Sequence, residues 1–255
     1  MMFALALAAA STTTYSPVGK WTLDYQQDLC MLTRTYSAGG ATVSLGFRQA
    51  PGDAQTEAIV LFADHPDDQL RRSIVVMGSG ARTKTLGNSV SQRLPGGRQR
   101  LLRFITGRDA VAALASETSL TIDEGGQPAI TFTLGKPVAP LRALATCESD
   151  QMRSWGVDVA QMAVPAKPIG DVAKWFAFPL EAAMHRQGGD TTVRWMIDTH
   201  GAVTDCIVVR SNGNVLLDAA ACKQITRRGR YEPAIGKDGK PMPWMETRHL
   251  IWSLG

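Results

Sequence analysis

The first half of the chain is dominated by short segments with the polar and apolar pattern of β-strands. Residues 42–47 alternate with period two, and continuous apolar runs occupy residues 58–62 and 73–77, with Gly and Pro between them. Further predicted elements are a short helix over 110–115, strands over 119–122 and 129–134, and an amphipathic helix from 138 to about Trp155. The pattern predicts a β-rich antiparallel domain over residues 17–156.

The last third of the chain changes its periodicity from element to element. A helix is predicted over 179–186, strands over 191–197 and 202–210, a second helix from Leu216 that stops at Gly229, and a final strand over 245–254. This order of helix, strand, strand, helix, strand predicts a small α+β domain with one antiparallel sheet over residues 173–255. Residues 157–172 contain two prolines and no clear period, so they are predicted to be a linker. The fold class of the chain is therefore predicted as α+β.

Charge gives little support for a nucleic-acid partner. The chain has 255 residues, a formal net charge of +4 and a pI of about 9.0, which is a mild basic excess. A basic stretch is interleaved with apolar residues in a way that predicts the solvated side of a strand; its arginines are Arg93, Arg98, Arg100, Arg103 and Arg108. A nucleic-acid binder concentrates its cations on one face with aromatic residues between them, so no such partner is expected.

The first ten residues form an apolar run that closes on small residues before the polar stretch from Ser11 to Thr14. This pattern predicts a signal peptide, or its remnant, over residues 1–10 with cleavage after Ala10. The run lacks a basic start, so the signal is atypical or begins upstream; the alternative is an apolar terminus of a cytosolic protein. The expected location is the periplasm, with inner-membrane association if the true start lies upstream.

The four cysteines are even in number and segregate along the chain. Two disulfides are predicted, one joining Cys30 to Cys147 and one joining Cys206 to Cys222, and the alternative is buried free thiols. The spacing of the few histidines and the thiols does not suggest a metal site, and no cofactor is expected. The sequence has no nucleophile elbow and no histidine with a convincing Ser or Cys partner, so a binding protein is expected rather than an enzyme. An enzyme in the N-terminal half is the alternative, and it would require a pocket with convergent polar groups.

Several short motifs occur in order within the C-terminal segment. They are Phe178-Pro179-Leu180-Glu181-Ala182, Val193-Arg194-Trp195, Asp198-Thr199-His200-Gly201-Ala202-Val203-Thr204-Asp205, Ser211, Leu217-Asp218-Ala219-Ala220, Arg227-Arg228 and Tyr231-Glu232-Pro233-Ala234. In this order and spacing the segment resembles the TonB C-terminal family. Without the family, Gly201 supplies the backbone freedom of a tight turn, and Asp218 is expected to cap the second helix or charge its first turn.

The resemblance implies a periplasmic module that captures a protein partner rather than a small molecule, in connection with outer-membrane transport. In this family an extended peptide of an outer-membrane receptor is added as a strand to an exposed sheet edge. The candidate here is the final strand: its contact residues are expected to be Thr247, Arg248, His249 and Ile251, while Leu250, Trp252 and Leu254 face the core. The alternative is an edge that is merely guarded against pairing, by charges such as Glu246 and Arg248.

Two further features bear on function. A full TonB places a transmembrane helix with a motor-contacting His and a long Pro-rich spacer ahead of this domain, and neither pattern is seen here. A periplasmic adaptor or binding protein without an energy-transducing role is therefore the alternative to a transducer. The N-terminal half is similar to exported proteins of the invasion-associated locus B type in the motifs Trp21-Thr22-Leu23, Cys30-Met31-Leu32, Phe47-Arg48 and Leu134-Gly135, followed by a helix with Cys147.

Overall fold

The computed structural model of the protein describes residues 12–66, 69–79, 82–125, 127–211 and 213–253. The predicted signal peptide, residues 1–10, lies outside the described residues. The chain divides into two compact units, and the first comprises residues up to Asp24, Met31–Gln49 and Gln55–Leu144. The second comprises Tyr25–Cys30, Ala50–Ala54 and Ala145–Gly255. None of the described helices is both long enough and apolar enough to cross a membrane.

The first unit is built on one ten-stranded sheet. Its strands are β1 (Thr13–Pro17), β2 (Thr22–Tyr25), β3 (Cys30–Ala38), β4 (Ala41–Gln49), β5 (Gln55–Phe62), β6 (Arg71–Ser79), β7 (Arg82–Arg93), β8 (Arg100–Gly107), β9 (Ser119–Asp123) and β10 (Ile130–Thr133). They lie in the order β1-β10-β9-β6-β7-β8-β5-β4-β3-β2. The prediction of a β-rich N-terminal region is confirmed.

Strand β1 closes this sheet into a ring. Its first half pairs in parallel with β10, from Thr13 opposite Ile130 to Tyr15 opposite Phe132. Its second half pairs antiparallel with β3, where Pro17 lies opposite Tyr36. The strands from β1 round to β3 therefore form a closed barrel, and β2 extends the sheet from β3. Closure removes the free sheet edges that an open sheet of this size exposes.

Alternation along the strands fills the barrel with side chains. On β8 the buried positions are Arg100, Leu102, Phe104 and Thr106, while the residues between them are half-buried. The interpretation of the basic stretch as the solvated side of a strand is therefore wrong for Arg100, which is only 3% exposed. The period of two places Arg100 on the same face as Leu102 and Phe104, whereas Arg103 points the other way and lies 3.8 Å from the carboxylate of Glu57.

Helices follow two of the barrel strands, β8 and β10. Helix α1 (Arg108–Ala112) continues into a 3-10 turn over Ala113–Ser116, and α2 (Val138–Ser154) follows β10. The long helix predicted from 138 is confirmed. Its Cys147 forms the predicted disulfide with Cys30, and both cysteines are fully buried.

The second unit combines the end of α2 with short strands, two further helices and a small sheet. Its strands are β11 (Met162–Val164), β12 (Lys167–Pro168), β13 (Gly189–Ile197), β14 (Val203–Ser211), β15 (Tyr231–Glu232), β16 (Ala234–Gly236), β17 (Pro241–Met242) and β18 (Trp244–Trp252). Its helices are α3 (Leu180–Met184), which precedes β13, and α4 (Val215–Arg228), which follows β14. The predicted order of helix, strand, strand, helix, strand is confirmed by α3, β13, β14, α4 and β18.

Three of these strands form an antiparallel sheet with the order β14-β13-β18. Helix α4 begins after this sheet's hairpin and is capped by Asn214, whose side chain accepts from the amides of Leu216 and Leu217. Asp218 therefore does not cap the helix; it places negative charge in the first turn, as the other predicted role had it, and its carboxylate accepts from the hydroxyls of Thr191 and Ser211.

Two of the short strands lie within the stretch predicted as a linker. Residues 157–172 contain β11 and β12, so this stretch has more regular structure than the prediction allowed. Strand β12 pairs with β15, while β11 pairs with β16, which in turn pairs with β17. The 3-10 turn Val172–Trp175 then leads toward α3.

The second predicted disulfide joins Cys206 on β14 to Cys222 on α4, with the Cα atoms 5.4 Å apart. This bond fixes the helix to an edge strand of the sheet that it covers. Together with the bond between Cys30 and Cys147, it accounts for all four cysteines of the chain.

Candidate functional site

The three-stranded sheet of the second unit is covered on one face by helix α4. Trp195 and Ile197 of β13 pack with Leu217, Ala221 and Ile225 of α4, and all of them are fully buried. From β18, Trp252 joins this core and Leu250 packs against it. The expectation that Leu250 and Trp252 face the core agrees with these contacts; Leu254 lies outside the described residues.

The opposite face of the same sheet is also covered, close to the start of β18. Met245 packs with the buried residues Met152 and Val157. Thr247 is 3% exposed, and its hydroxyl donates to the backbone carbonyl of Pro51 over 2.6 Å. The side chain of Thr247 is therefore committed to an internal contact, and it is not available to flank a bound peptide.

A row of polar side chains crosses the three strands further along this face. Thr192 on β13 lies between Arg210 on β14 and His249 on β18. The guanidinium of Arg210 donates to the Thr192 hydroxyl over 2.9 Å and approaches Nδ1 of His249 at 3.3 Å. Because a guanidinium only donates, Nδ1 of His249 is the acceptor in this contact. The row joins β18 to β14 through side chains as well as through the backbone ladder.

The two charges predicted to guard the edge are engaged with each other. Arg248 forms an ion pair with Glu246, and the hydroxyl of Tyr231 donates to the other carboxylate oxygen over 2.6 Å. Burial raises the pKa of Tyr231 above its ordinary value, and the hydrogen bond to Glu246 raises it further. The phenol therefore donates to Glu246 and holds its carboxylate beside Tyr231.

The free side of β18 is the candidate binding edge. Strand β18 pairs with β13 over nine residues, from Trp244 opposite Ile197 to Trp252 opposite Gly189, and no other described strand pairs with it. Of the four predicted contact residues, Ile251 is 75% exposed, Arg248 and His249 are half-buried, and Thr247 is buried. The accessible side chains thus lie in the second half of the strand.

Sequence reasoning missed a second feature on this sheet. Arg194, in the middle of β13, stacks its guanidinium on the ring of Trp155 at 3.5 Å and lies 3.3 Å from a carboxylate oxygen of Asp28. Burial lowers the pKa of Arg194, and Asp28 opposes this effect. A cavity of about 460 Å³ beside it is lined by residues that include Met196 and Ile207. The sequence signal that could have revealed this feature was a charged residue between Val193 and Trp195 in a central strand.

Two of the sequence motifs meet at the turn between β13 and β14. Gly201 has φ +80°, and a Cβ atom there would lie 1.8 Å from the carbonyl oxygen of Tyr231. The amide of Tyr231 in turn donates to the Gly201 carbonyl over 3.0 Å. The glycine is thus required by a close backbone approach as well as by the turn.

The same turn is held by Asp198. Its carboxylate accepts from the backbone amides of Ala202 at 2.9 Å and His200 at 2.8 Å. These hydrogen bonds, that from Ala202 above all, lower the pKa of Asp198. The Asp-x-x-Gly motif is therefore explained by local structure.

Comparison with known proteins agrees with this architecture. Residues 176–254 match the family model described as Gram-negative bacterial TonB protein C-terminal. This segment belongs to the TonB C-terminal family. The TonB-like segment ends with β18, and it includes the Gly201 turn, Tyr231 and the disulfide between Cys206 and Cys222.

A solved structure is also similar to the chain. The solution NMR structure of the Pseudomonas aeruginosa TonB CTD has 21% sequence identity and a TM-score of 0.29; the match covers 35% of this chain and 86% of that chain. No curated protein matches the chain. The similarity of the N-terminal half to exported proteins of the invasion-associated locus B type remains a prediction.

Proposed function

We propose that the TonB-like segment binds an extended segment of a protein partner by adding it as a fourth strand to the free side of β18. The observation that carries this proposal is the nine-residue pairing of β18 with β13 on one side and with no other described strand on the other. The unpaired N–H and C=O groups of such an edge supply the backbone hydrogen bonds of strand addition.

The contact is assigned to the second half of β18. Thr247 is excluded because it is buried and bonded to Pro51. Ile251 offers an exposed apolar side chain, and His249, opposite Thr192, lies on the same face of the strand. The expected ligand is therefore an extended peptide that pairs along Arg248 to Trp252 and places an apolar side chain against Ile251.

Proline scanning tests the proposal. Neighbouring residues of a strand point their N–H groups in opposite directions, so one of Arg248→Pro and His249→Pro removes an outward N–H and leaves the ladder to β13 intact. The variant that keeps the wild-type melting temperature should lose binding of fluorescently labelled peptides derived from outer-membrane receptors. The matched controls are Val208→Pro and Val209→Pro on β14, the other edge of the sheet.

Hydrogen exchange of the full chain provides a second readout. Bound peptide should slow exchange at alternate amides of β18 and leave β14 unchanged. Binding that survives in the folded β18 proline variant, or protection that arises on β14 instead, would show that β18 is not the binding edge.

The proposed compartment is the periplasm, and the proposed role is connected with outer-membrane transport. Two disulfides support an oxidising compartment. Alkylation of native periplasmic material without reductant should leave Cys206 and Cys222 unlabelled; quantitative labelling would contradict export. Release of the protein by osmotic shock would favour the adaptor alternative, whereas retention with inner membranes at high salt would favour a transducer.

A further inference from the structure

The cavity beside Arg194 lies wholly within the second unit. Its volume is about 460 Å³, inside the range of about 300–1,000 Å³ that is usual for ligand pockets in proteins. Arg194 and Met196 line it and flank Trp195, whose side chain packs with helix α4. Because neighbouring side chains of a strand point to opposite faces, the cavity lies on the face of the sheet that α4 does not cover.

Half of the lining residues are apolar. They are Trp155, Met196, Ile197, Ile207 and Pro243. Met196 and Ile207, which lie on neighbouring strands, are only half-buried, so part of their apolar surface still faces solvent. An apolar ligand body placed against these side chains would remove that surface from water, which favours binding.

Arg194 forms part of the wall, but its charge is already compensated. Its guanidinium stacks on the ring of Trp155 at 3.5 Å and lies 3.3 Å from a carboxylate oxygen of Asp28. The side chains of this ion pair are 11% and 23% exposed, and Nε and Nη1 of the arginine are shielded from solvent. The arginine therefore does not make the cavity a site for anions.

The other polar lining residues all carry oxygen atoms that accept hydrogen bonds. They are Asp198, Thr199, Thr204 and Asp205. The carboxylate of Asp198 accepts from backbone amides of its own turn, which are neutral donors and leave its negative charge in place. The ring of His200 lies 4.0 Å from this carboxylate and carries a charge only when it is protonated.

A β-bulge places Asp205 at the cavity. In the ladder between β13 and β14, Asp205 and Cys206 together lie opposite the single residue Trp195. The disulfide directs Cys206 to helix α4, whereas Asp205, with φ +44°, lines the cavity. Asp205 is exposed, and it forms no ion pair within the part of the chain that the structure describes. Its charge is therefore open to a ligand.

We infer that this cavity binds a small organic cation, with its apolar body against Met196 and Ile207 and its ammonium group beside Asp205. The charges of the lining that are not paired internally are negative, and the threonine hydroxyls add further acceptors for an ammonium group. A primary ammonium on a single ring or a short alkyl chain has this chemistry. The site is separate from β18 and independent of the proposed peptide binding.

An NMR titration of the full chain tests the inference. The probes are 2-phenylethylammonium, 2-phenylethanol and 3-phenylpropionate, which share an apolar body and differ in their charge. The indole N–H signal of Trp155, assigned with Trp155→Phe, reports binding at the cavity. At about pH 8, where histidine is ordinarily neutral, the ammonium should bind best and the carboxylate least. Added salt should weaken binding of the ammonium and leave that of the alcohol unchanged.

Removing the exposed carboxylate tests the position of the ammonium group. Asp205→Asn should weaken 2-phenylethylammonium about threefold, as for a charge pair near the surface, and leave 2-phenylethanol unchanged. Asparagine adopts positive φ about as readily as aspartate, so the bulge is retained. The matched control is Glu232→Gln, which removes an exposed carboxylate of β15 that does not line the cavity.

A cavity-filling variant tests the place of the apolar body. Ile207→Trp should abolish binding of the ammonium and the alcohol, whereas Val215→Trp, at a position that is 74% exposed, should leave both unchanged. If Ile207→Trp does not fold, the three probes and Asp205→Asn decide the outcome. The inference is overturned if the ammonium does not shift the Trp155 signal, or if the ammonium and the carboxylate bind equally. Wild-type affinity in Asp205→Asn, or binding that survives in a folded Ile207→Trp variant, would overturn it as well.

Discussion

Replacing Gly201 by alanine should destabilise the second unit far more than the same change at another glycine with positive φ. Gly239 has φ +77°, and no atom lies within 4 Å of the position that a Cβ would take, so Gly239→Ala incurs only the backbone cost of about 1–2 kcal/mol. At Gly201 the new Cβ would lie 1.8 Å from the Tyr231 carbonyl oxygen, so the two segments must separate. That movement breaks the hydrogen bond from the Tyr231 amide, which adds ~1 kcal/mol, and disturbs the buried packing of Tyr231.

Urea denaturation followed by tryptophan fluorescence measures this difference. Of the six tryptophans only Trp21 lies in the first unit, so the signal reports mainly on the second. With a slope of about 2 kcal/mol per molar urea, an excess of 1–2 kcal/mol moves the midpoint by roughly 0.5–1 M below that of Gly239→Ala. Equal midpoints for the two variants would refute the close approach of Gly201 to Tyr231 as the reason for the glycine.

Three further changes test the second unit. Replacing Cys206 and Cys222 together by serine should lower the unfolding free energy by about 3 kcal/mol in the loop-entropy model, read as a lower melting temperature. Asp198→Asn should lower the free energy of unfolding at neutral pH and flatten its dependence on acid pH. The depressed pKa of Asp198 contributes stability above about pH 4, and this contribution is lost as the pH falls through the pKa of the folded state. The stability curves of wild type and variant should therefore converge at low pH. Thr247→Val should cost about 1–3 kcal/mol because it leaves the Pro51 carbonyl without its donor, whereas an unchanged melting temperature would show that this bond contributes nothing.

The elements of the second unit were predictable because their signals are local. Each signal is visible within a single element: apolar alternation around Trp195, and helical spacing of Leu217, Ala221 and Ile225. In the folded structure these residues form one buried cluster. The burial of Thr247 was not predictable, because its cover comes from Pro51, which is 196 positions away in sequence. The edge strand was predicted from its position in the fold. The structure limits the part with accessible side chains to the second half of that strand.

Distant pairings also limited what could be predicted for the barrel. Its strands were indicated by apolar runs, but its closure depends on a parallel pairing between Thr13 and Ile130 that no short window contains. The prediction for Arg100 was wrong because a cation among leucines and isoleucines fits an outward face equally well until the phase of the strand is known.

Closure of the barrel by β1 also sets the order in which the first unit can be completed. The first half of β1 has no partner until β10 is available, and β10 lies more than one hundred positions later in the sequence. Until then β9 and the first half of β1 are open edges, which are the sites where unfinished sheets pair with other chains. A fold with such distant pairings is formed slowly, since the entropy of closing a long loop is lost before the contacts form. The first unit is therefore most exposed to aggregation between synthesis of its first and last strands, and a chaperone that covers residues 13–17 would protect it during that interval.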